Sequence, residues 1–98
     1  MEQKFASAWR SRCEQAQALG VRCKRTLDAI DKDALKQAQR ILSGNRPSDE
    51  FDALDTLHRL DLSLEALVLR KEFGPLFTDE QVNRAIERLL AAGYSFRI

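Results

Sequence analysis

Cysteine, histidine and clustered carboxylates are the residues from which this chain could build a reactive site. Cys13 and Cys23 are the only cysteines, and His58 is the only histidine. Two cysteines outside a CxxC pair and one histidine do not complete a zinc site. The chain has no Gly-rich phosphate loop, HExxH or GxSxG motif, and no second histidine to serve a nucleophile. We therefore expect no enzyme activity, no metal site and no cofactor.

The spacing of the two cysteines bears on redox chemistry. On one continuous helix, Cys13 and Cys23 would lie about 15 Å apart along the axis, which is too far for a mutual disulfide. In a reducing compartment they are expected to act as small core residues. The many carboxylates alternate with Lys and Arg on amphipathic helices, as they do on solvated ion-pair faces.

The composition indicates one small all-α domain. The 98 residues are 44% apolar and 32% charged, with only 4 Gly and 2 Pro, and so few chain-breaking residues favour helix over sheet. No segment approaches the roughly 20 apolar residues of a membrane span. The charged N-terminus lacks the apolar core of a signal peptide. A cytoplasmic protein is the expectation.

An apolar seam predicts one long N-terminal helix over residues 2–30. Its residues recur in steps of three and four: Trp9, Cys13, Ala16, Gly20, Cys23, Leu27 and Ile30. Small residues in the middle of the seam would let another helix approach closely, with a bulky partner side chain over Gly20. Glycine also destabilises a helix by about 1 kcal/mol relative to alanine, so a break near residues 19–22 is the alternative.

Two interpretations of this seam stay open. In the first, it binds a partner protein or a second copy of the chain through Phe5, Trp9, Ala16, Gly20, Cys23 and Leu27. In the second, it packs against other helices of the same chain. Phe5 and Trp9 lie one turn apart, so an exposed pair would be a partner anchor and a buried pair a corner of the core.

Capping residues divide the rest of the chain. Asp31 or Asp33 can cap a helix over 33–43 that stops at Gly44, and residues 44–50 form the best loop and hinge. Ser48 is expected to cap a helix over 49–60. Ser63 is expected to cap a helix over 64–73, which ends before Gly74 and Pro75.

The most completely specified helix is the last one. Thr78 and Gln81 form a capping box, and Gly93 followed by Tyr94 is a typical helix stop. The tail after it, residues 94–98, has the alternation of a short extended segment. We therefore predict a small bundle of about five amphipathic helices in a single domain. Residues 1–43 would form its long N-terminal helix or a helical hairpin, and 48–98 its C-terminal helical subdomain.

Charge is distributed unevenly along the chain. Residues 1–46 carry ten Lys or Arg against five Asp or Glu, a net of +5, whereas residues 47–98 carry six against ten, a net of −4. Opposite halves can attract each other within one molecule or between copies. The basic half could also face nucleic acid.

The C-terminal third resembles two families. Residues 63–98 look like the second half of a winged-helix DNA-binding domain, in which a recognition helix precedes a strand entering the wing. In the segment VNRAIERLLAAGY, Arg84 and Arg88 lie one turn apart, where a groove would be met. The same region is similar to the three-helix repeat of RecX-type regulators of recombinase filaments, with Ser63, Phe73-Gly74 and Gly93-Tyr94 in comparable places.

Two functions follow as hypotheses. The first is a non-enzymatic helical interaction module, an adaptor, chaperone-like or regulatory protein that buries an apolar helix face on a partner or on itself. The alternative is a small DNA-binding transcriptional regulator. Its nucleic-acid contacts would be Arg10, Arg12, Arg22, Lys24, Arg25, Arg84 and Arg88, and its binding would weaken steeply with salt.

Overall fold

The first helix, α1, spans Glu2–Ala18 and ends because Gly20 follows it. In the computed structural model, which describes residues 2–94, Gly20 has a φ of +92°. The Gly20 amide donates to the Gln17 carbonyl at 2.9 Å, and the Val21 amide donates to the Ala16 carbonyl at 3.0 Å. These are the two bonds of a Schellman motif. The prediction of one helix over 2–30 is therefore wrong, and the alternative break near residues 19–22 is confirmed.

Helix α2 spans Lys24–Ser43 and is kinked at Asp33, whose backbone is not helical. The Asp33 carboxylate accepts a hydrogen bond from the Lys36 amide at 3.2 Å, so Asp33 acts as a cap inside the helix. The predicted cap at Asp33 is confirmed. The segment that it caps is, however, the second part of a kinked helix that begins at Lys24 and not a separate helix. Gly44 ends α2 at the predicted place with an extended backbone rather than a left-handed one.

The middle of the chain forms shorter elements than the sequence predicts. Helix α3 spans Phe51–Thr56 and α4 spans Leu64–Val68, with 3₁₀ turns at Leu60–Leu62 and Gly74–Leu76. Ser63 caps α4 as expected, because its hydroxyl accepts from the Ala66 amide at 3.1 Å. Ser48 does not cap α3, since its side chain is buried and donates elsewhere. The helices predicted over 49–60 and 64–73 are therefore too long.

Helix α5, Asp79–Ala91, forms as predicted at both ends. The Thr78 hydroxyl accepts from the Gln81 amide at 3.1 Å, and the Gln81 side chain accepts from the Thr78 amide at 3.0 Å. At the other end Gly93 has a φ of +78°, and the Tyr94 amide donates to the Leu89 carbonyl at 2.9 Å. The predicted extended tail lies, from Ser95 onwards, outside the described residues.

The helices surround one hydrophobic core. Helix α1 packs along α2, α5 packs on α2 and α4, and the 3₁₀ turn at Leu60–Leu62 packs against α1 and α3. The described chain measures 29 × 26 × 26 Å. Residues 2–94 contain five α-helices and no strand, which confirms the all-α bundle. Within the same residues, no helix combines the length and apolar character needed to cross a bilayer.

Candidate protein-interaction surface

The seam predicted for partner binding lies largely inside the molecule. Phe5, Trp9, Ala16 and Cys23 are all buried in the core, and Leu27 is half-buried against it. Gly20 lies in the exposed turn between α1 and α2. A Cβ built on Gly20 would meet no atom within 4 Å, so Gly20 is needed for its backbone and not for a close helix approach. In this structure the seam faces the chain's own helices.

Phe5 is the centre of an aromatic cluster. Its ring centroid lies 5.8 Å from that of Trp9, 5.3 Å from that of Phe73 and 5.4 Å from that of Phe77. Phe73 and Phe77 meet the Phe5 ring edge to face, an arrangement that aromatic quadrupoles favour. The pair at the start of α1 is thus a corner of the core that joins α1 to the segment before α5.

The turn at Gly20 brings the two cysteines together. Cys13 and Cys23 line the same small cavity with Trp9 and Glu50, and the two thiols interact. Burial, followed by the nearby Glu50 carboxyl, raises the pKa of Cys13 to about 12 and that of Cys23 to about 11. The expected 15 Å separation is wrong because it assumed a continuous helix. The prediction that both thiols are buried core residues is confirmed.

A second buried polar group lies beside this cavity. Glu50 is buried, and its carboxylate accepts a hydrogen bond from the Thr26 hydroxyl. Burial raises the pKa of Glu50, while the Thr26 hydrogen bond acts in the opposite direction. Thr26 belongs to α2 and Glu50 to the start of α3, so this contact ties the two helices together.

Glu65 of α4 is a buried acceptor of three hydrogen bonds and has no exposed surface. Its carboxylate accepts from the Ser48 amide at 2.9 Å and the Ser48 hydroxyl at 2.7 Å, and Arg88 approaches it at 3.3 Å. Arg88 also donates to the Gly44 carbonyl at 2.7 Å and to the Ile41 carbonyl at 3.3 Å. Arg88 therefore binds the C-terminal end of α2, where the Ile41 carbonyl also accepts from the Gly44 amide.

The cations predicted to bind DNA have differing surroundings. The side chain of Arg88 is only 11% exposed, and Arg84 donates to the Gly44 carbonyl at 3.1 Å. Arg10 pairs with Asp31, and Arg12 donates to the Asp61 carbonyl. Burial, with help from the neighbouring Arg70, lowers the pKa of Arg12. Arg22, Lys24 and Arg25 remain exposed on the basic half.

An apolar groove lies between α4 and α5. It encloses about 440 Å³ and is open to solvent. We call it the α4–α5 groove. Its apolar walls are formed by Val68, Leu69, Gly74, Val82, Ile86 and Leu90, with Arg70 and Lys71 at one rim. Leu90 is 58% exposed, more than any other large hydrophobic residue of the described chain.

Leu90 belongs to an apolar stripe along α5 whose residues recur in steps of three and four. The stripe Val82, Ala85, Ile86, Leu89 and Leu90 is wider than the contact that α2 and α4 provide. Ala85 and Leu89 are therefore fully buried, while Val82 and Ile86 are half-buried and Leu90 is exposed. The signal for the groove was the width of this stripe.

Residues 2–94 hold no group of three or more His, Cys, Asp or Glu side chains able to bind a metal. No protein-family model, curated protein or solved structure matches the chain. The strand that the winged-helix resemblance implies after α5 falls on residues outside the described part. The candidate site is therefore defined by its geometry alone.

Proposed function

We propose that this protein is a non-enzymatic helical interaction module whose binding surface is the α4–α5 groove. The observation that carries the proposal is Leu90, whose side chain is 58% exposed at the mouth of an apolar groove. An adaptor or regulatory role through helix burial agrees with this surface. The proposed binding residues are therefore Val82, Ile86 and Leu90 of α5, in place of the α1 seam that the sequence suggested.

The energetics favour a polypeptide as the occupant. Full burial of a leucine or isoleucine side chain contributes about 1.5–3 kcal/mol, and the groove exposes parts of several such side chains. Val82, Ile86 and Leu90 recur every four residues, so they form one line along α5. A line of this kind fits the apolar face of another helix, which recognises a groove by anchors at similar spacing.

DNA binding remains the second proposal, with a smaller set of cations to support it. The recognition-helix residues Arg84 and Arg88 are held by the carbonyl groups of α2. Arg22, Lys24 and Arg25 lie together around the start of α2 and are exposed. Duplex binding that disappears when these three become Ala, and that falls steeply with salt, would favour this alternative.

Site-specific photocrosslinking tests the interaction module. A benzophenone amino acid replaces Leu90 in the full chain, which is then irradiated in an extract of the source cells. Position 57 is the matched control, because Leu57 is also exposed, at 42%, and lies outside the groove. We expect a polypeptide adduct from position 90 and none from position 57. Absence of any adduct from position 90, or equal adducts from both positions, would refute the proposal.

A further inference from the structure

We infer that the occupant of the α4–α5 groove is a second copy of this chain, bound about a two-fold axis that runs along α5. This inference rests on the proposed function and names its partner. Three features carry it: the apolar line on α5, the opposite charges of Lys71 and Glu87 on the two rims, and the lack of ion-pair partners for these two residues.

The first rim of the groove is basic. Arg70 and Lys71 follow α4 and line the groove on that side. Arg70 is paired with Glu72, its Nε lying 2.6 Å from the carboxylate. Lys71 is exposed and forms no ion pair with any residue in 2–94. It is therefore available to an acidic group that another molecule brings to this rim.

The opposite rim, on α5, carries one exposed carboxylate, that of Glu87. Successive helix residues are rotated by about 100°. Ala85, one residue before Ile86, is fully buried, so Glu87, one residue after it, lies on the solvent side of the apolar line. Across the described residues Glu87, like Lys71, has no ion-pair partner.

Symmetry converts these two rims into a self-complementary surface. In a two-fold contact, the same patch of both copies meets itself. When the axis runs along the groove, the acidic rim of each copy faces the basic rim of the other. When the axis runs across the groove, like rims meet and repel each other. The charge pattern therefore selects a dimer in which the two α5 helices are parallel and the two Leu90 side chains meet near the axis.

The first experiment measures solution mass by sedimentation equilibrium of the full chain from about 1 µM to 1 mM. We expect a monomer–dimer equilibrium. Leu90→Ser should weaken it by about 100-fold or more, because each dimer loses two buried leucine side chains. Leu57→Ser removes another exposed leucine, 42% exposed against 58% for Leu90, that lies outside the groove, so its dissociation constant should stay within about threefold of wild type.

Charge reversal distinguishes contact between copies from contact within one copy. Lys71→Glu alone and Glu87→Lys alone should each weaken the dimer by about 5- to 10-fold, because two like-charged pairs then meet in every dimer. An equimolar mixture of the two variants should recover dimer of near wild-type affinity, since both rim contacts are complementary again in the mixed pair. Circular dichroism of each variant confirms that it is folded.

The outcomes separate this inference from the proposed function. A chain that stays monomeric at 1 mM overturns the inference that a second copy occupies the groove. A mixture of Lys71→Glu and Glu87→Lys that dimerises no better than either variant alone overturns it too. In either case, a position-90 adduct with one other protein, identified by mass spectrometry and absent from the position-57 control, would still support the interaction module. Equal weakening by Leu57→Ser and Leu90→Ser would place the dimer contact elsewhere and overturn the inference.

Discussion

Arg88 of α5 lies 3.3 Å from the carboxylate of Glu65, a residue of α4 with no exposed surface. The same guanidinium donates to the Ile41 and Gly44 carbonyls at the end of α2. The other partner of Glu65 is Ser48, which donates to it from both its amide and its hydroxyl. Two side chains thus connect α2, α4, α5 and the loop before α3.

Glu65→Ala is expected to lower the free energy of unfolding by about 3–5 kcal/mol, because it removes the carboxylate that balances the charge of the largely buried Arg88 and accepts both Ser48 donors. Urea unfolding followed by circular dichroism measures the loss. Glu80→Ala is the matched control: Glu80 also pairs with an α5 arginine, Arg84 at 3.5 Å, but its side chain is 79% exposed. Its loss should cost at most about 0.5 kcal/mol. Similar losses for the two variants would show that the buried pair has no special role.

Local sequence signals were sufficient where a helix is specified by its own residues. The Thr78–Gln81 capping box, the Gly93 stop and the Ser63 cap all depend on groups within about five residues of each other, and all are present. Signals with two meanings were not sufficient. Gly20 fits both a small-residue seam and a helix stop. Gly20-Val21 has the same pattern as Gly93-Tyr94, a glycine followed by an apolar residue, and that pattern was correctly interpreted as a helix stop at the end of α5.

Long-range partners decided the remaining differences. Ser48 is a good cap residue, but the buried carboxylate of Glu65, seventeen positions away, takes both of its donors. Arg88 was assigned to a DNA groove because nothing local showed that the carbonyls of α2 need a donor. The groove itself was not foreseen, because the width of the apolar stripe on α5 is a local signal, whereas the part of it that stays uncovered depends on where α2 and α4 pack.

Three helix ends contain a residue with a left-handed backbone, and substitutions at these residues should change stability in opposite directions. Gly20, His58 and Gly93 all have positive φ, and His58 is the one that is not glycine, with a φ of +57° after α3. The His58 amide donates to the Asp55 carbonyl and the Arg59 amide to the Leu54 carbonyl, again as in a Schellman motif. Gly20→Ala and Gly93→Ala should each destabilise the protein by about 1 kcal/mol. His58→Gly should stabilise it by about 0.5–1 kcal/mol, because the strain on a side chain at positive φ is removed.

Thermal unfolding measures these three variants. At other sites in α3, a change to glycine is expected to destabilise, so Ala53→Gly is the control for His58→Gly. Ala53 is an exposed residue inside the helix. A loss of stability in His58→Gly as large as that in Ala53→Gly would contradict the assignment of His58 to the helix stop.

Glu50 predicts a pH dependence of stability. Burial raises its pKa above the ordinary value of 4.5 in the folded state. A raised folded pKa means that the folded chain binds the proton more tightly. Glu50 therefore makes its full stabilising contribution below its pKa in the unfolded chain. This contribution is lost as pH rises through its pKa in the folded chain. Glu50→Gln keeps an acceptor for Thr26 and removes the charge, so it should be more stable than wild type at pH 7 by on the order of 1 kcal/mol.

The measurement is urea unfolding of wild type and Glu50→Gln at a series of pH values from 4 to 8. The difference in free energy of unfolding between Glu50→Gln and wild type should grow with pH and level off once Glu50 is ionised. Asp61 is a useful comparison, because its hydrogen bond from Arg59 lowers its pKa, and its contribution is lost as pH falls instead. A difference that is constant over the whole range would contradict the buried, pKa-shifted carboxyl.

The buried thiols predict slow modification in the folded protein. Thiolate is the reacting species, and burial raises the pKa of Cys23 from 9.0 to about 11 and that of Cys13 to about 12. At pH 8 the thiolate fraction of Cys23 is then about 100-fold below that of an unshifted cysteine, and that of Cys13 is lower still. Labelling with a chromogenic disulfide should therefore be at least about 100-fold slower in buffer than in 8 M urea. Cys13→Ala and Cys23→Ala allow the labelling rate of each remaining thiol to be measured alone, and Cys23 should react faster than Cys13. Equal, rapid labelling of both thiols in buffer would show that the α1–α2 turn does not enclose them.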